Sequence, residues 1–273
     1  QGWTFAPWRA NVRAGRSRMR KARGSAGPVM FAAAALLAAC QSAPVSACGG
    51  SFCDGFESAE TGAAPGAPWA VDLANATLAV DDTRAASGSK SVRIDLAGKG
   101  TGFLTAPGAR SGRMKVFLEA APEGDVHWTL IELRGKRPSD GHIAELRIGG
   151  QHPVAGGSRL MANYETPEGY TDASAPMSDC WHHAAGTDVM PTGRWTELSW
   201  KAGADGKTLE VSIDGVPVPA LTVEGHGQGC LHQPADYAWE LPDITEVNLG
   251  WESYQPDGPR HIWVDDVVLG EGG

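Results

Sequence analysis

The sequence lacks the short motifs of several large enzyme classes. It contains no GxSxG, HExxH, GxGxxG or Walker A pattern. These patterns mark serine hydrolases, zinc peptidases, dinucleotide-binding enzymes and phosphate-binding loops. It also has no CxxC pair, which disfavours the alternative that its cysteines bind zinc. Any chemistry must therefore come from side chains that the fold brings together.

Acidic residues are absent from the first 47 residues, whereas the rest of the chain is strongly acidic. Residues 1–47 hold seven of the 23 Lys and Arg residues, which leaves 16 basic residues against 32 acidic ones in the remainder. A body with this surplus of negative charge repels phosphate, so we expect no nucleic-acid partner. A polyanionic ligand would need a local basic cleft.

The apolar run near the N-terminus is too short to cross a membrane. It extends from Val29 to Ala39 after a basic stretch, and the segment Leu37-Ala38-Ala39-Cys40 resembles a bacterial lipobox. We therefore predict a lipid on Cys40 and a protein held at the cell envelope, in the outer membrane or periplasm, by this anchor alone. The alternative is ordinary cleavage near Ala47. The predicted organisation is an upstream extension (1–18), a signal peptide (19–39), a tether (40–52) and one domain (53–271).

Cysteine is scarce, and its count fits an exported protein. With Cys40 used for the lipid, four cysteines remain, an even number in an oxidising compartment. The favoured disulfide pairs are Cys48 with Cys53 and Cys180 with Cys230.

Long amphipathic helices are also missing. The 36 Gly and 18 Pro favour turns, and short segments alternate apolar with polar residues, as in SVRIDL (91–96), AELRIGG (144–150) and TLEVSIDG (208–215). Asp214-Gly215 is a hairpin-turn signal. The pattern predicts an all-β fold, an antiparallel β-sandwich of jelly-roll (concanavalin-like) type. Residues 165–190, which include CWHH (180–183), are predicted to form a long loop.

Several segments, taken in order, are similar to one known family. The segments FCDGFES (52–58), ELRIGGQ (145–151), LMANYE (160–165), VNLGW (247–251) and IWVDDVVLG (262–270) resemble the secreted jelly-roll family of the cellulose-induced fungal protein and its bacterial relatives. That family shares its fold with glucuronan lyase. The resemblance covers nearly all of the predicted domain.

The resemblance implies a structural calcium ion where the N-terminal segment meets the last strand. Its ligands would be Glu57, Ser87 and Asp265, because calcium binds hard oxygen ligands. Asp265 and Asp266 are adjacent on a predicted strand, so one of them points inward. The alternative is that Asp265 accepts backbone N–H bonds without a metal.

The family resemblance also implies a catalytic site for β-elimination in a uronic-acid polymer. Arg147 and Asn163 would neutralise the sugar carboxylate, and His127 or Tyr254 would serve as base or acid. Gln151 and Trp181 are candidate substrate-binding residues, with Trp181 as a stacking platform. Three of these residues have a structural alternative. Arg147 could be ion-paired with Glu145 and Glu132, His127 could lie at the edge of the core, and Asn163 could cap a turn. Separately, the adjacent His182 and His183 could bind a metal.

Three functions remain open on these grounds. The protein could be a polysaccharide lyase, a non-catalytic carbohydrate-binding module, or a structural envelope lipoprotein. The expected partner is a polysaccharide, anionic in the lyase case, and we expect the protein to be a monomer.

Overall fold

The computed structural model describes residues 49–270. The signal segment, Cys40 and Cys48 lie outside the described residues, so the predictions for them remain predictions. Cys53 takes part in a disulfide bond. Within the described residues, no helix is long and apolar enough to cross a membrane.

The described chain is built almost entirely from strands, which confirms the predicted fold class. Two short 3-10 helices, Pro167–Tyr170 and Pro219–Leu221, interrupt fifteen strands. The strands are β1 (Phe52–Asp54), β2 (Ala70–Asp81), β3 (Ser91–Pro107), β4 (Ser111–Leu118), β5 (Trp128–Lys136), β6 (Ile143–Val154), β7 (Gly157–Thr166), β8 (Ser178–His183), β9 (Trp195–Ala202), β10 (Thr208–Ile213), β11 (Val216–Pro217), β12 (Val223–Glu224), β13 (Gly229–Leu231), β14 (Asp243–Ser253) and β15 (Arg260–Leu269).

The strands pair antiparallel in one continuous path that forms the two layers of a sandwich. The order is β11-β10-β9-β4-β15-β3-β14-β5-β6-β7-β8-β13, and β2 pairs along β3. The first part of β3 pairs with β15, whereas its second part pairs with β14. The long strand β3 therefore passes from one layer to the other, and apolar side chains from both layers form one core.

Three expectations about local structure can be checked. Asp214 and Gly215 both have positive φ between the paired β10 and β11, as the hairpin signal predicts. Cys180 and Cys230 are joined by a disulfide, as predicted. The prediction that residues 165–190 form a loop throughout is wrong, because CWHH lies on β8. That strand pairs with β7 on one side and with β13 on the other.

The layer that contains β14, β5, β6, β7 and β8 has one apolar and one polar face. Along β6, Leu146 and Ile148 lie in the core, whereas Glu145 and Arg147 point to the other side. The same alternation holds on β7, where Ala162 and Tyr164 are core residues. The polar face carries the candidate functional site.

Candidate functional site

A line of polar side chains crosses six neighbouring strands of the polar face. Strand pairing places one residue of each strand directly opposite a residue of the next strand. We call this line the polar row, and its members are Thr105, Asn248, Glu132, Arg147, Asn163 and Trp181. Hydrogen bonds connect its first part. Thr105 Oγ1 donates to Asn248 Oδ1 at 2.6 Å, and Asn248 Nδ2 donates to Glu132 Oε1 at 2.9 Å.

Arg147 is the centre of a buried group of charges, which we call the Arg147 cluster. Its Nε donates to Glu132 Oε2 at 3.1 Å, and its two terminal nitrogens donate to Glu145 and Glu165. Only 8% of the Arg147 surface is exposed. The alternative that Arg147 is ion-paired with Glu145 and Glu132 therefore describes its contacts. The residue is buried rather than on the surface, and Glu165 is an additional partner.

The carboxyl groups of this region outnumber the guanidinium groups, and burial shifts their pKa values. Burial raises the pKa of Glu145 to about 8, even though the charge of Arg147 acts in the opposite direction. Burial likewise raises the pKa values of Glu165 and Glu252. Glu145 therefore holds a proton near neutral pH.

His127 and Tyr254 lie together beside the Arg147 cluster. Their ring centroids are 4.7 Å apart, and the Arg147 guanidinium carbon is 5.2 Å from the centroid of the Tyr254 ring. The Tyr254 hydroxyl donates to Glu252. Burial, reinforced by the charge of Arg147, lowers the pKa of His127 to about 3, and burial raises the pKa of Tyr254. At neutral pH the imidazole is therefore unprotonated and the phenol is protonated.

A groove of about 460 Å³ opens along the polar face. Its lining combines apolar side chains of β2 and β3, such as Val71 and Phe103, with acidic and basic side chains of β2, β5, β6 and β14. The charged residues are Asp72, Glu132, Arg134, Glu145, Arg147, Glu246 and Glu252. Four members of the polar row line the groove, and Asn163 and Trp181 lie outside its lining.

The remaining predicted substrate-binding residues lie apart from this centre. Trp181 is on the polar face two strands from Arg147, and its indole lies close over Gly229, where a methyl group would be 2.4 Å from the ring. Gln151 is four residues further along β6 than Arg147, roughly 13 Å away at about 3.3 Å per residue. It pairs with Arg159 and is not part of the Arg147 cluster.

Histidines gather at the end of the polar face that is nearest to His127. His152 Nδ1 is 2.8 Å from Asp125 Oδ1, and the rings of His152 and His183 are 5.0 Å apart. His182 pairs with the core residue Ala162, whereas His183 pairs with Met161, so the two adjacent rings diverge. Among residues 49–270, no group of three or more His, Cys, Asp or Glu side chains is arranged to hold a metal ion.

Asp265 lies at a separate site on the other layer, which we call the Asp265 corner. Its carboxylate is fully buried and accepts backbone N–H bonds from Ala86 (2.8 Å), Ser87 (3.3 Å) and Asp266 (2.7 Å). The Ser87 hydroxyl donates to Asp266 Oδ1 at 2.6 Å. Burial raises the pKa of Asp265 to about 6. These are the backbone bonds that the metal-free alternative for Asp265 predicts.

Glu57 reaches the same segment of chain but engages different groups. Its carboxylate accepts hydrogen bonds from the backbone N–H groups of Ser89 and Lys90 and from the Ser89 hydroxyl group, all at 2.8–2.9 Å. Gly88 has a positive φ of 59°, and a methyl group on it would lie 2.4 Å from Glu57 Oε1, so a larger residue would displace the Glu57 carboxylate. Of the three predicted metal ligands, Ser87 and Asp265 are in contact, and Glu57 lies beside them on residues 89–90.

Sequence reasoning missed several residues of the site. Asn248, Glu165 and Glu252 contact the Arg147 cluster or its neighbours, yet they were not among the candidates. The alternation in EVNLGW could have indicated Glu246 and Asn248, which share a strand face with an apolar residue between them. The strand register shifts between Leu249 and Glu252, so counting alternate residues along β14 does not show on which face Glu252 lies.

Comparisons with known proteins agree with this architecture. Residues 55–272 match the sequence model described as polysaccharide-lyase-like, Cip1-like, core domain. The solved structure of the cellulose-induced protein Cip1 has 24% identity and a TM-score of 0.58, with 81% of this chain and 97% of that chain covered. An endo-β-1,4-glucuronan lyase from the fungus Trichoderma reesei has 12% identity and a TM-score of 0.49, with 82% and 96% covered.

A glycoside hydrolase family 16 endo-glucanase from Bacteroides ovatus has 13% identity and a TM-score of 0.46, with 80% of this chain and 99% of that chain covered. None of the curated proteins matches the sequence at a significant level. The match to the family model spans most of the sequence and coincides with the described sandwich. The chain therefore belongs to the polysaccharide-lyase-like family of Cip1-like core domains.

Proposed function

We propose that this protein binds a polysaccharide chain along the polar face. The observation that carries the proposal is the polar row, which crosses six adjacent strands next to an open groove. Five strand spacings of about 4.8 Å give a length of about 24 Å, enough for several sugar rings. The membership of the chain in a polysaccharide-lyase-like family supports the same proposal.

The side chains along this face suit a hydroxyl-rich polymer. Carboxylates and amides accept and orient sugar hydroxyl groups, and a planar indole can pack against the C–H face of a ring. Trp181 is half-buried on the polar face, so it supplies such a surface at one end of the row.

Affinity electrophoresis of the full chain in gels that contain single soluble polysaccharides tests the proposal. At least one polymer should retard the protein, and Trp181→Ala should weaken that binding about tenfold, equivalent to about 1.4 kcal/mol. The matched control is Trp195→Ala, which removes a half-buried indole from the other layer and should leave retardation unchanged. Free migration in every gel would refute the proposal.

A second candidate function is β-elimination in a uronic-acid polymer. The close approach of His127, Tyr254 and Arg147 favours it. Neutral His127 would remove the C5 proton, the C4–O bond would break as the C4–C5 double bond forms, and Tyr254 would protonate the leaving oxygen. Arg147 would bind the sugar carboxylate, which requires that one of its present carboxylate partners gives way.

The lyase activity is measured by the ultraviolet absorbance of the unsaturated product. With soluble glucuronan as substrate, wild type should produce absorbance, and Tyr254→Phe should slow turnover about a hundredfold or more because it removes the proton donor. If wild type binds the polymer but generates no absorbance, the lyase candidate fails and the binding proposal stands.

We also propose that the Asp265 corner holds a structural calcium ion. Asp265 Oδ1 and Asp266 Oδ1 converge beside Gly55, where a methyl group would lie 3.8 Å and 3.4 Å from them, respectively. Two hard oxygen donors of like charge lie close together there, and calcium binds oxygen donors of this kind. Asp265, Ser87 and Glu57 would hold the ion, with Asp266 as a further donor.

For the N-terminus, we propose that Cys40 carries the lipid anchor. The lipobox-like segment that ends at Cys40 supports this proposal. Cys40→Ser should move the protein from the membrane fraction to the soluble fraction of a host with lipoprotein export. Equal distribution of both proteins would contradict it.

A further inference from the structure

We propose that Tyr170 and Leu231 extend the apolar surface of Trp181 into a sugar-stacking subsite at the β13 end of the polar face. We call these three residues the apolar end, and its ligand is the C–H face of a pyranose ring in the polysaccharide. The inference rests on the proposed binding of a polysaccharide along the polar face. It adds two binding residues outside the groove and a contact that does not depend on charge.

Strand pairing places Leu231 on the polar face, next to Trp181. A cross-strand line runs from Glu165 to Asp179 and on to Leu231, and directly paired residues share one face of a sheet. Asp179 precedes Trp181 by two residues on β8, so both side chains point to this face. Gly229, two residues before Leu231 on β13, pairs with Trp181, and the indole lies over it. Trp181 and Leu231 therefore lie beside each other across β8 and β13.

Tyr170 reaches the same place from the insert between β7 and β8. It is the last residue of the first 3-10 helix, and 47% of its surface is exposed. Burial raises the pKa of its hydroxyl, and the charges of Glu165 and Asp179 act in the same direction, so the hydroxyl lies near both carboxylates. Its ring contacts the ring of His232 edge to face, with centroids 6.0 Å apart, and His232 directly follows Leu231. Tyr170 therefore lies at the β13 end of the polar face.

The insert that carries Tyr170 is fixed by hydrogen bonds on two sides. Glu168 Oε2 accepts the N–H of Ile143, the first residue of β6, at 3.1 Å. Gln233 Nε2, just after β13, donates to the Met177 carbonyl at 3.0 Å. An aromatic side chain on a segment that is already held in place loses little conformational entropy when a ligand binds.

Exposed apolar side chains are few on this polar face, and they lie at its two ends. Among the described residues, the exposed large apolar side chains are Val71, Leu73, Tyr170, Val216 and Leu231. Val71 lines the groove at the β2 end, whereas Tyr170 and Leu231 lie at the β13 end. Single exposed apolar residues are normal, but a group of them beside a half-buried indole on a polar face marks a binding surface.

A pyranose ring matches this combination of groups. Its faces carry C–H groups that pack on aromatic and aliphatic side chains, and its edge carries hydroxyl groups. Asp179 is partly exposed and lies next to both Trp181 and Leu231, so it is placed to accept hydrogen bonds from the hydroxyl groups of a ring packed on the apolar end. Since packing of this kind depends on apolar area rather than on charge, added salt should not weaken it.

Affinity electrophoresis of the full chain tests the inference in gels that contain hydroxyethylcellulose, xylan or glucuronan, each at low and at high salt. In the gel that retards wild type most, Tyr170→Ala should weaken binding about tenfold and Leu231→Ala about threefold, because each removes apolar contact area. Both losses relative to wild type should be the same at low and at high salt.

Two further variants serve as controls. Tyr170→Phe keeps the ring and removes only the hydroxyl, so it should bind like wild type. Val216→Ala shortens an exposed apolar side chain on β11 in the other layer and should also bind like wild type. All four variants change exposed side chains, so their melting temperatures should match that of wild type. If Tyr170→Ala does not fold, Leu231→Ala decides the question.

The outcomes separate this inference from the proposed function. If Tyr170→Ala is retarded as strongly as wild type, or if its loss of binding disappears at high salt, the stacking subsite is refuted and polysaccharide binding stands. If Tyr170→Ala and Leu231→Ala change the molar mass in light scattering but not the retardation, the apolar end is a contact between copies of this chain, which also refutes the inference. If no polymer retards wild type, the proposed function fails and the subsite fails with it.

Discussion

The Arg147 cluster and the Asp265 corner bury charge in opposite ways. At the Asp265 corner, one carboxylate is surrounded by three backbone N–H groups, two of which belong to the segment between β2 and β3. In the Arg147 cluster, one cation is surrounded by carboxylates from three neighbouring strands. The corner attaches a loop to the last strand, whereas the cluster leaves more carboxyl groups than guanidinium groups along a groove.

This difference indicates where function is located. Backbone N–H groups cannot move away from Asp265 without moving the chain, so the corner is suited to a structural role. Side-chain carboxylates can change their protonation and their partners, so the cluster can respond to a ligand. The predictions below remove one element of each site in turn.

The largest expected effect is that of Arg147→Ala. It leaves Glu132, Glu145 and Glu165 close together without their common cation, and breaking a buried ion pair costs about 3–5 kcal/mol. Urea unfolding at neutral pH measures the loss. The control Arg134→Ala removes a more exposed guanidinium with one 3.4 Å contact and should cost less than about 1 kcal/mol. Similar small losses of unfolding free energy in both variants would mean that Arg147 does not stabilise the buried carboxylates around it.

The next effect is that of Asp265→Ala at the corner. The substitution removes the acceptor for the N–H groups of Ala86, Ser87 and Asp266, and an unsatisfied buried donor costs about 1–3 kcal/mol. Thermal unfolding should show the loss. Asp266→Asn is the control, because Asn tolerates the positive φ of 45° at this position and keeps an acceptor for Ser87.

Calcium sharpens the test of the corner. If the corner binds calcium, saturating calcium at about one hundred times Kd should stabilise wild type by about 2.7 kcal/mol. Asp265→Ala should abolish this gain. A melting temperature that responds to neither calcium nor chelator in wild type would leave Asp265 as a purely hydrogen-bonded carboxylate.

A smaller effect is the pH dependence caused by Glu145. Its folded-state pKa is raised from 4.5 to about 8, so its contribution to stability is complete below about pH 4.5 and is lost as the pH rises through about 8. Glu145→Gln cannot ionise. Between about pH 5 and about pH 9, wild type should therefore lose about 1 kcal/mol or more of unfolding free energy relative to Glu145→Gln. Parallel pH profiles would show that Glu145 is not buried in this way.

Much of the fold was predictable because local signals agreed with it. Alternation in AELRIGG assigned Leu146 and Arg147 to opposite faces, and the Asp214-Gly215 signal located the β10–β11 hairpin. The strand that contains CWHH was not predicted. Its stability depends on pairing with β7 and with β13, and on the Cys180–Cys230 disulfide. Such long-range contacts leave no periodic pattern in so short a segment.

The candidate site was predictable only in part. Arg147, Asn163, His127 and Tyr254 do lie near one another, as the family resemblance implies. The excess of carboxylates was not visible, because it arises where Glu132, Glu145, Glu165 and Glu252 from four strands meet. Register shifts in β5 and β14 decide which residues meet, and sequence alone does not reveal them.

The measurement that tests the central claim most directly is NMR of the tryptophan indole N–H groups during titration with a bound polysaccharide fragment. Trp181 on the polar face and Trp195 on the other layer are both half-buried, and single Trp→Phe variants assign their signals. Binding along the polar face predicts that the Trp181 signal shifts in a saturable way while the Trp195 signal stays in place. A shift of Trp195 with no change at Trp181 would contradict the account.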